Sequence, residues 1–200
     1  MTTLLQIQSS LFSVDGQSNQ LSNEFVSAWQ RNQPASEIKL RDLALDPLPH
    51  LDAERVSAFF TPSESRTAAQ QELVDLSDEL VNELKHADIL VFGVPMYNFG
   101  IPSTLKAYFD HIARAGVTFR YTEHGPEGLL IGKKAYIFAT RGGQYFGTAL
   151  DTQTAYVRDF LSFIGITDIE FIYAEGLNMG ADVKEKALVE AKVKLAALAA

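Results

Sequence analysis

The residues Ile89-Leu90-Val91-Phe92-Gly93-Val94 form an unbroken apolar run that Pro95 ends. Before it, Leu73, Leu76, Leu80, Leu84 and Ala87 recur at three- and four-residue spacing, the signature of one helix face. A strand with no polar face must be covered on both sides, and a parallel strand reached through a crossover helix meets that requirement. The run is also far short of the ~20 apolar residues that span a bilayer. This stretch therefore asks for a sheet with helices packed on both faces.

The rest of the chain supplies those elements. Leu4, Leu5 and Ile7 make a first strand that ends in the polar stretch Ser9 to Ser18. Leu21, Phe25, Ala28 and Trp29 then mark one face of a helix, with Ser18 as its expected N-cap. Ile38 and Leu40 alternate with Glu37, Lys39 and Arg41 and read as a half-buried strand at a sheet edge. A short helical piece is expected from Asp52 to Ala58, then a polar link through Thr61 to Arg66. After Pro95 a helix runs from about Ser103 to Arg114, with Asp110 and Arg114 spaced for an i, i+4 ion pair.

Val117 to Ile131 carries turn signals at Gly125-Pro126 and Gly128 and reads as an inserted hairpin or flap. A fourth strand (Ala135 to Thr140), a helix (Thr152 to Ile164), a fifth strand (Ile169 to Tyr173) and a last helix (Asp182 to Ala199) follow. Alternating strands and helices imply an α/β fold with right-handed crossovers. Five strands fit a flavodoxin-like three-layer sandwich, its parallel sheet ordered 2-1-3-4-5. Residues 1–200 read as one domain, with the hairpin at about 117–131 as its insertion.

Composition removes several chemistries. Without cysteine there is no thiol nucleophile, iron–sulfur cluster or Cys-ligated zinc. A formal charge of −8 repels polyanions, so neither nucleic acid nor an anionic membrane is an expected partner. The opening MTTLLQIQSS has no basic start, and Gln6 and Gln8 interrupt its apolar residues, so a cytoplasmic location is expected. No G-x-G-x-x-G follows the first strand, and neither a P-loop nor a G-x-S-x-G elbow occurs. His50, His86, His111 and His124 show no ligand spacing, so no metal site is expected.

In a sheet of this order, ligands bind beyond the carboxyl ends of the strands, where strands one and three diverge. That rule selects three loops. Ser10, Gly16, Gln17 and Ser18 precede or open a helix, where hydroxyls and free N–H groups suit a phosphate; the alternative is an ordinary capped loop. No Lys or Arg precedes Arg31, so the expected donors are neutral. Met96, Tyr97, Asn98 and Phe99 suit a flat aromatic ligand, or else pack on neighbouring loops with Asn98 in a left-handed turn. Gly142 and Gly143, after Thr140 and Arg141, either admit close approach of a ring or simply make a tight turn.

With these loops identified, the chain resembles the FMN-dependent NADH-azoreductases, also described as NADH:quinone oxidoreductases, over essentially its whole length. The resemblance is carried by SNQLS at 18–22, PMYNF at 95–99, ARAGVTFRYTE at 113–123, GPEGL at 125–129, TRGG at 140–143 and FIGI at 163–166. It implies one FMN per subunit, its phosphate at Ser10 and Gly16-Gln17-Ser18. The isoalloxazine would lie between Met96, Tyr97, Asn98 and Phe99 on one side and Thr140, Arg141, Gly142 and Gly143 on the other. It further implies a homodimer with both flavin sites at the interface, and a ping-pong cycle. In that cycle NADH gives a hydride to the flavin N5 and leaves, and a quinone or azo compound then takes its place.

The N–H groups of Gly142 and Gly143 would face the flavin N1–C2=O edge, and no side chain stands out as an obligatory acid or base. Tyr97, Asn98, Phe119, Tyr121, Phe163 and Phe60 are the expected substrate-pocket residues. Two departures stand out. Gly16 occupies a position where relatives often carry Ser, which loses a hydroxyl while keeping a backbone donor. Phe59-Phe60 is apolar where some relatives place an Arg, so a preference for sulfonated dyes does not carry over. The alternative from another class is an FMN electron carrier passing single electrons to a protein partner; a non-redox nucleotide-binding module is a third reading. The inserted hairpin and the aromatic third loop favour an enzyme.

Overall fold

A computed structural model describes residues 1–200. In chain order the elements are β1 (Thr3–Gln8), α1 (Gln17–Asn32), β2 (Glu37–Asp42), α2 (Ala53–Phe60), α3 (Ala68–His86), β3 (Ile89–Pro95) and α4 (Ser103–Ile112). They continue with β4 (Phe119–Thr122), β5 (Gly125–Gly128), β6 (Lys134–Thr140), α5 (Thr152–Phe163), β7 (Asp168–Ala174) and α6 (Ala181–Leu198). Five strands form one parallel sheet in the order β2-β1-β3-β6-β7, which is 2-1-3-4-5 when only its own strands are counted. The remaining two, β4 and β5, pair as an antiparallel hairpin.

All seven residues of β3 are buried, and their alternation divides the core. Leu90, Phe92 and Val94 face a cluster of 25 buried residues that includes Leu80 and Leu84 of α3, Phe109 of α4 and Leu161 of α5. Ile89 and Val91 face a cluster of 13 that includes Leu21 and Phe25 of α1 and Leu195 of α6. The helix starts are set locally: Asp52 accepts the Arg55 N–H at 2.8 Å, and Thr67 with Gln70 forms a capping box at α3.

Three local expectations need correction. The N-cap of α1 is Gly16, not Ser18; Ser18 lies inside the helix, fully buried. On β2, at the sheet edge, Ile38 packs on the smaller core but Leu40, in mid-strand, is 60% exposed. Asp110 and Arg114 do not pair: α4 ends at Ile112, so the i, i+4 geometry is gone by residue 114. Instead Arg114 donates to Ser77 Oγ at 2.7 Å and Asp78 Oδ1 at 3.2 Å, while Lys106 holds Asp110 at 2.5 Å.

The hairpin is seated by a backbone contact. A Cβ on Gly128 would lie 2.0 Å from Gly165 N, so the β5 backbone lies directly on the turn after α5. Leu130 N–H donates to Ile164 O at 2.9 Å beside it.

Candidate functional site

The loop after β1 is folded on itself. Ser10 Oγ accepts the Phe12 N–H at 3.3 Å and lies 3.2 Å from the Tyr97 hydroxyl, which joins this loop to the one after β3. A Cβ at residue 16 would sit 2.1 Å from Ser10 Oγ. Gly16 has an ordinary extended φ of −70°, so its backbone does not demand glycine, and a side chain here would have to displace that of Ser10. The Gly16 N–H donates to Ser13 O at 3.1 Å, so the backbone donor expected to remain at this position is already used. The N–H groups of Gln17, Ser18 and Asn19 have no partner in the chain, as the first turn of a helix requires. Beside them the buried Ser18 hydroxyl also has none.

The loop after β3 is a two-residue turn held by mutual bonds between Tyr97 and Gly100, each N–H to the other's carbonyl at 3.0 Å. Its central residues Asn98 and Phe99 have φ of 50° and 66°, the pair of left-handed conformations of a type I′ turn. Asn accepts this region readily, but a bulky aromatic does so under strain. Phe99 is half exposed and meets Tyr145 edge-on at 5.6 Å, so it both packs on a neighbouring loop and presents a face outward. The Thr152 hydroxyl donates to its carbonyl.

The third wall depends on Arg141, whose side chain is wholly buried. Its guanidinium donates to Glu175 Oε1 at 3.0 Å, Asp151 Oδ1 at 2.8 Å, Thr154 Oγ1 at 2.8 Å and Gln153 Oε1 at 3.2 Å, and lies over the Tyr173 ring at 5.0 Å. Gln153 in turn donates to Pro95 O at 2.9 Å, tying this loop to the end of β3. Burial pushes the Asp151 carboxyl up, but hydrogen bonds from Thr154 and Arg141 outweigh it and hold the group below the usual carboxylate range. Asn178 N–H donates to Gly142 O at 3.0 Å and Gly176 N–H to Gly143 O at 2.9 Å, whereas the N–H groups of Gly142 and Gly143 have no partner in the chain.

These loops enclose two adjoining cavities. One, of about 250 Å³, is bordered by Ser10, Gly16 and Gln17 at one end and by Met96, Tyr97, Thr140, Arg141 and Gly142 at the other. The second, of about 260 Å³, is bordered by Met96, Asn98, Phe99, Gly142, Tyr145 and Asn178. Met96, Gly142 and Asn178 belong to both, so the pair forms one elongated crevice at the carboxyl ends of β1, β3 and β6.

Most of the predicted phosphate and ring residues therefore meet, with three qualifications. The Ser18 side chain lies in the helix beneath the crevice wall. Arg141 meets the cavity while its guanidinium is spent inside the protein, and Gly143 lies beside it, next to the Tyr145 ring. One basic residue joins them from far along the chain: Lys184, in the first turn of α6, borders the same cavity as Ser10, Gly16 and Gln17.

Of the predicted substrate residues, only Tyr97 and Asn98 border the crevice. Phe119 packs on Phe163 at 4.3 Å and on Tyr121 at 5.5 Å at the base of the hairpin, away from both cavities. Phe60 borders a separate hollow of about 190 Å³ with Leu51, Phe59 and Arg114. Sequence reasoning missed Leu177 and Asn178, from the loop after β7. The signal was present: that loop also leaves the carboxyl end of a strand, and Gly176 opens it.

Residues 2–199 match the profile of the family described as having a flavodoxin-like fold. An FMN-dependent NADH:quinone oxidoreductase of Cellvibrio japonicus (strain Ueda107) is 60% identical over 192 residues, covering 96% of each chain. FMN-dependent NADH:quinone oxidoreductase 6 of Burkholderia lata is 54% identical over 197 residues, 98% of this chain and 100% of that one. Among solved structures, an azoreductase from Bacillus anthracis str. Sterne superposes with a TM-score of 0.92 at 28% identity, covering 100% of this chain and 99% of that one. An FMN-dependent NADH-azoreductase from Bacillus anthracis str. Ames Ancestor, in complex with FMN, gives 0.88 at 26% identity with both chains fully covered.

Proposed function

The chain belongs to the flavodoxin-like family of FMN-dependent NADH:quinone oxidoreductases, and on that premise we propose that its crevice holds FMN and reduces quinones and aromatic azo compounds at the expense of NADH. The observation that carries this reading is the continuity of the two cavities through Met96, Gly142 and Asn178. One end suits a phosphate and the other a flat ring.

The residues present fit that group. The unpartnered N–H groups of Gln17, Ser18 and Asn19 supply donors for an anion, reinforced by the α1 dipole. The buried, unpartnered Ser18 hydroxyl adds a further polar group close by. At the other end the free N–H groups of Gly142 and Gly143 can stabilise charge at the edge of a ring. Bound there, FMN supplies hydride exchange, taking two electrons from NADH and giving them to an acceptor, once for a quinone and twice for an azo bond cleaved to two amines.

The chain's own part is to bind, orient and enclose. Met96 and Phe99 border the ring end, and the Tyr97 hydroxyl, held near Ser10 Oγ, fixes the phosphate loop against it. Donor and acceptor share one open face in turn, which is a ping-pong order. Solvent supplies the protons.

Phe60 and Tyr121 are 74% and 75% exposed, and with Phe119 and Phe163 they lie outside their own chain's crevice. That placement supports a homodimer in which the second copy brings these residues to complete the pocket. A cytoplasmic location, where NADH is supplied, belongs to the same proposal; no helix is long and apolar enough to cross a membrane. The electron-carrier reading is disfavoured, since the relatives above are named as oxidoreductases and azoreductases.

The test is anaerobic. The FMN-loaded protein is mixed with NADH and the oxidised flavin band followed; a benzoquinone is then added. Bleaching followed by prompt recovery is the expected result. A bound flavin that NADH leaves oxidised would overturn the oxidoreductase reading.

A further inference from the structure

We propose that Lys184 provides the cationic contact to the 5′-phosphate of FMN, an inference that rests on the reading of the crevice given above. Lys184 stands in the first turn of α6, its N–H bonded to Gly180 O at 3.1 Å, and it borders the same 250 Å³ cavity as Ser10, Gly16 and Gln17. The other three lysines of α6 are engaged: Lys186 with Glu190, Lys192 with Glu24 and Lys194 with Glu170. Lys184 makes no ion pair and no side-chain hydrogen bond.

The charge at this end of the cavity makes the lysine consequential. Asp15 also borders the cavity, so a phosphate dianion enters beside a carboxylate. The first turn of α1 contributes only partial positive charge. Lysine is suited to the remaining task, since a compact ammonium on a flexible stem can reach a phosphate oxygen without a fixed geometry. The neutral donors legible in the sequence thus orient the phosphate, and Lys184, from the other end of the chain, balances its charge.

The experiment compares FMN with riboflavin, which shares the ring and ribityl chain but lacks the phosphate. Dissociation constants are measured by flavin fluorescence on the full-length, flavin-free chain, for wild type, Lys184→Ala and Lys184→Arg. For Lys184→Ala the FMN Kd should rise about fivefold while that for riboflavin stays unchanged, and the salt dependence of FMN binding should become shallower. Lys184→Arg should retain wild-type selectivity. An FMN Kd unchanged in Lys184→Ala overturns the inference and leaves the FMN site standing. A parallel weakening of riboflavin, or equal FMN losses in the Ala and Arg variants, overturns it too. A wild-type chain that binds neither flavin overturns the FMN reading itself.

Discussion

Nη1 of Arg141 donates to Oε1 of Glu175 at 3.0 Å, and that same oxygen accepts the backbone N–H groups of Tyr145 and Phe146 at 2.9 Å each. One carboxylate oxygen therefore sets the course of the loop after β6, and Arg141 sets the carboxylate. Through Gln153 and the Pro95 carbonyl, the same buried cluster reaches the loop after β3. The two walls of the 260 Å³ cavity are joined by an ion-pair network whose guanidinium is wholly buried.

Removing the guanidinium should be costly. Arg141→Met leaves the largely buried Asp151 and the partly buried Glu175 without their cation, and the loss should approach the ~3–5 kcal/mol of breaking a fully buried pair without reaching its upper end. Urea unfolding should show a lower midpoint with an unchanged slope, and the folded fraction should bind FMN more weakly. Glu175→Gln retains an oxygen acceptor for the two N–H groups and loses only charge, so its loss should be about 1–2 kcal/mol. An Arg141→Met chain as stable as wild type would show that the loop keeps its course without the network.

Phe99 separates stability from function. At φ 66° it occupies a region that costs a residue with a Cβ about 1–2 kcal/mol, and the turn bonds between Tyr97 and Gly100 hold it there. Phe99→Gly should raise the unfolding free energy of the flavin-free chain by up to about 1 kcal/mol, seen as a higher urea midpoint, despite losing the edge-on contact with Tyr145. The same change removes an aromatic wall of the ring-end cavity, so kcat/KM for a quinone should fall several-fold. A variant that is both less stable and fully active would refute the strain assignment.

The fold was legible because its signal is redundant. Residues 89–94 demand cover on both faces, and each of the helical patterns around them provides part of it. The loops that border the crevice were legible because the switch point of a parallel sheet selects them before any motif is read. Arg141 borders the crevice, and its guanidinium turns inward to acceptors of its own chain. A sequence does not show that four acceptors from 151 to 175 converge on one guanidinium. Lys184 was invisible for a similar reason: it lies 168 positions after Gly16, and only the fold brings both to the border of one cavity. Ser18 is not the cap because α1 starts two residues earlier, with Gly16 at its N-cap and the Ser18 side chain already inside the helix.

The acid side of the stability profile should report His111. Its Nε2–H donates to Pro49 O at 2.9 Å, its Nδ1 is buried without a partner, and its own carbonyl accepts the Ser77 hydroxyl at 2.6 Å. Burial depresses the imidazole pKa in the folded chain, and the neighbouring Arg55 and Arg114 push the same way, against the Pro49 bond and Asp110. A depressed folded pKa means that the unfolded chain takes up the proton first. The contribution of neutral His111 is complete above the ordinary imidazole value of about 6.5 and is lost as pH falls from there toward the folded value. Asp151 shifts in the same stabilising direction, but as a carboxylate held below its usual range it gives way only at more acid pH. The window from pH 7 to 5 therefore isolates the histidine. Thermal unfolding of the wild type should show Tm declining across that window. In His111→Gln, whose amide can still donate to Pro49 O but does not titrate, Tm should be lower at pH 7.5 and nearly flat below it. Equal slopes for the two chains would mean that the acid sensitivity arises elsewhere.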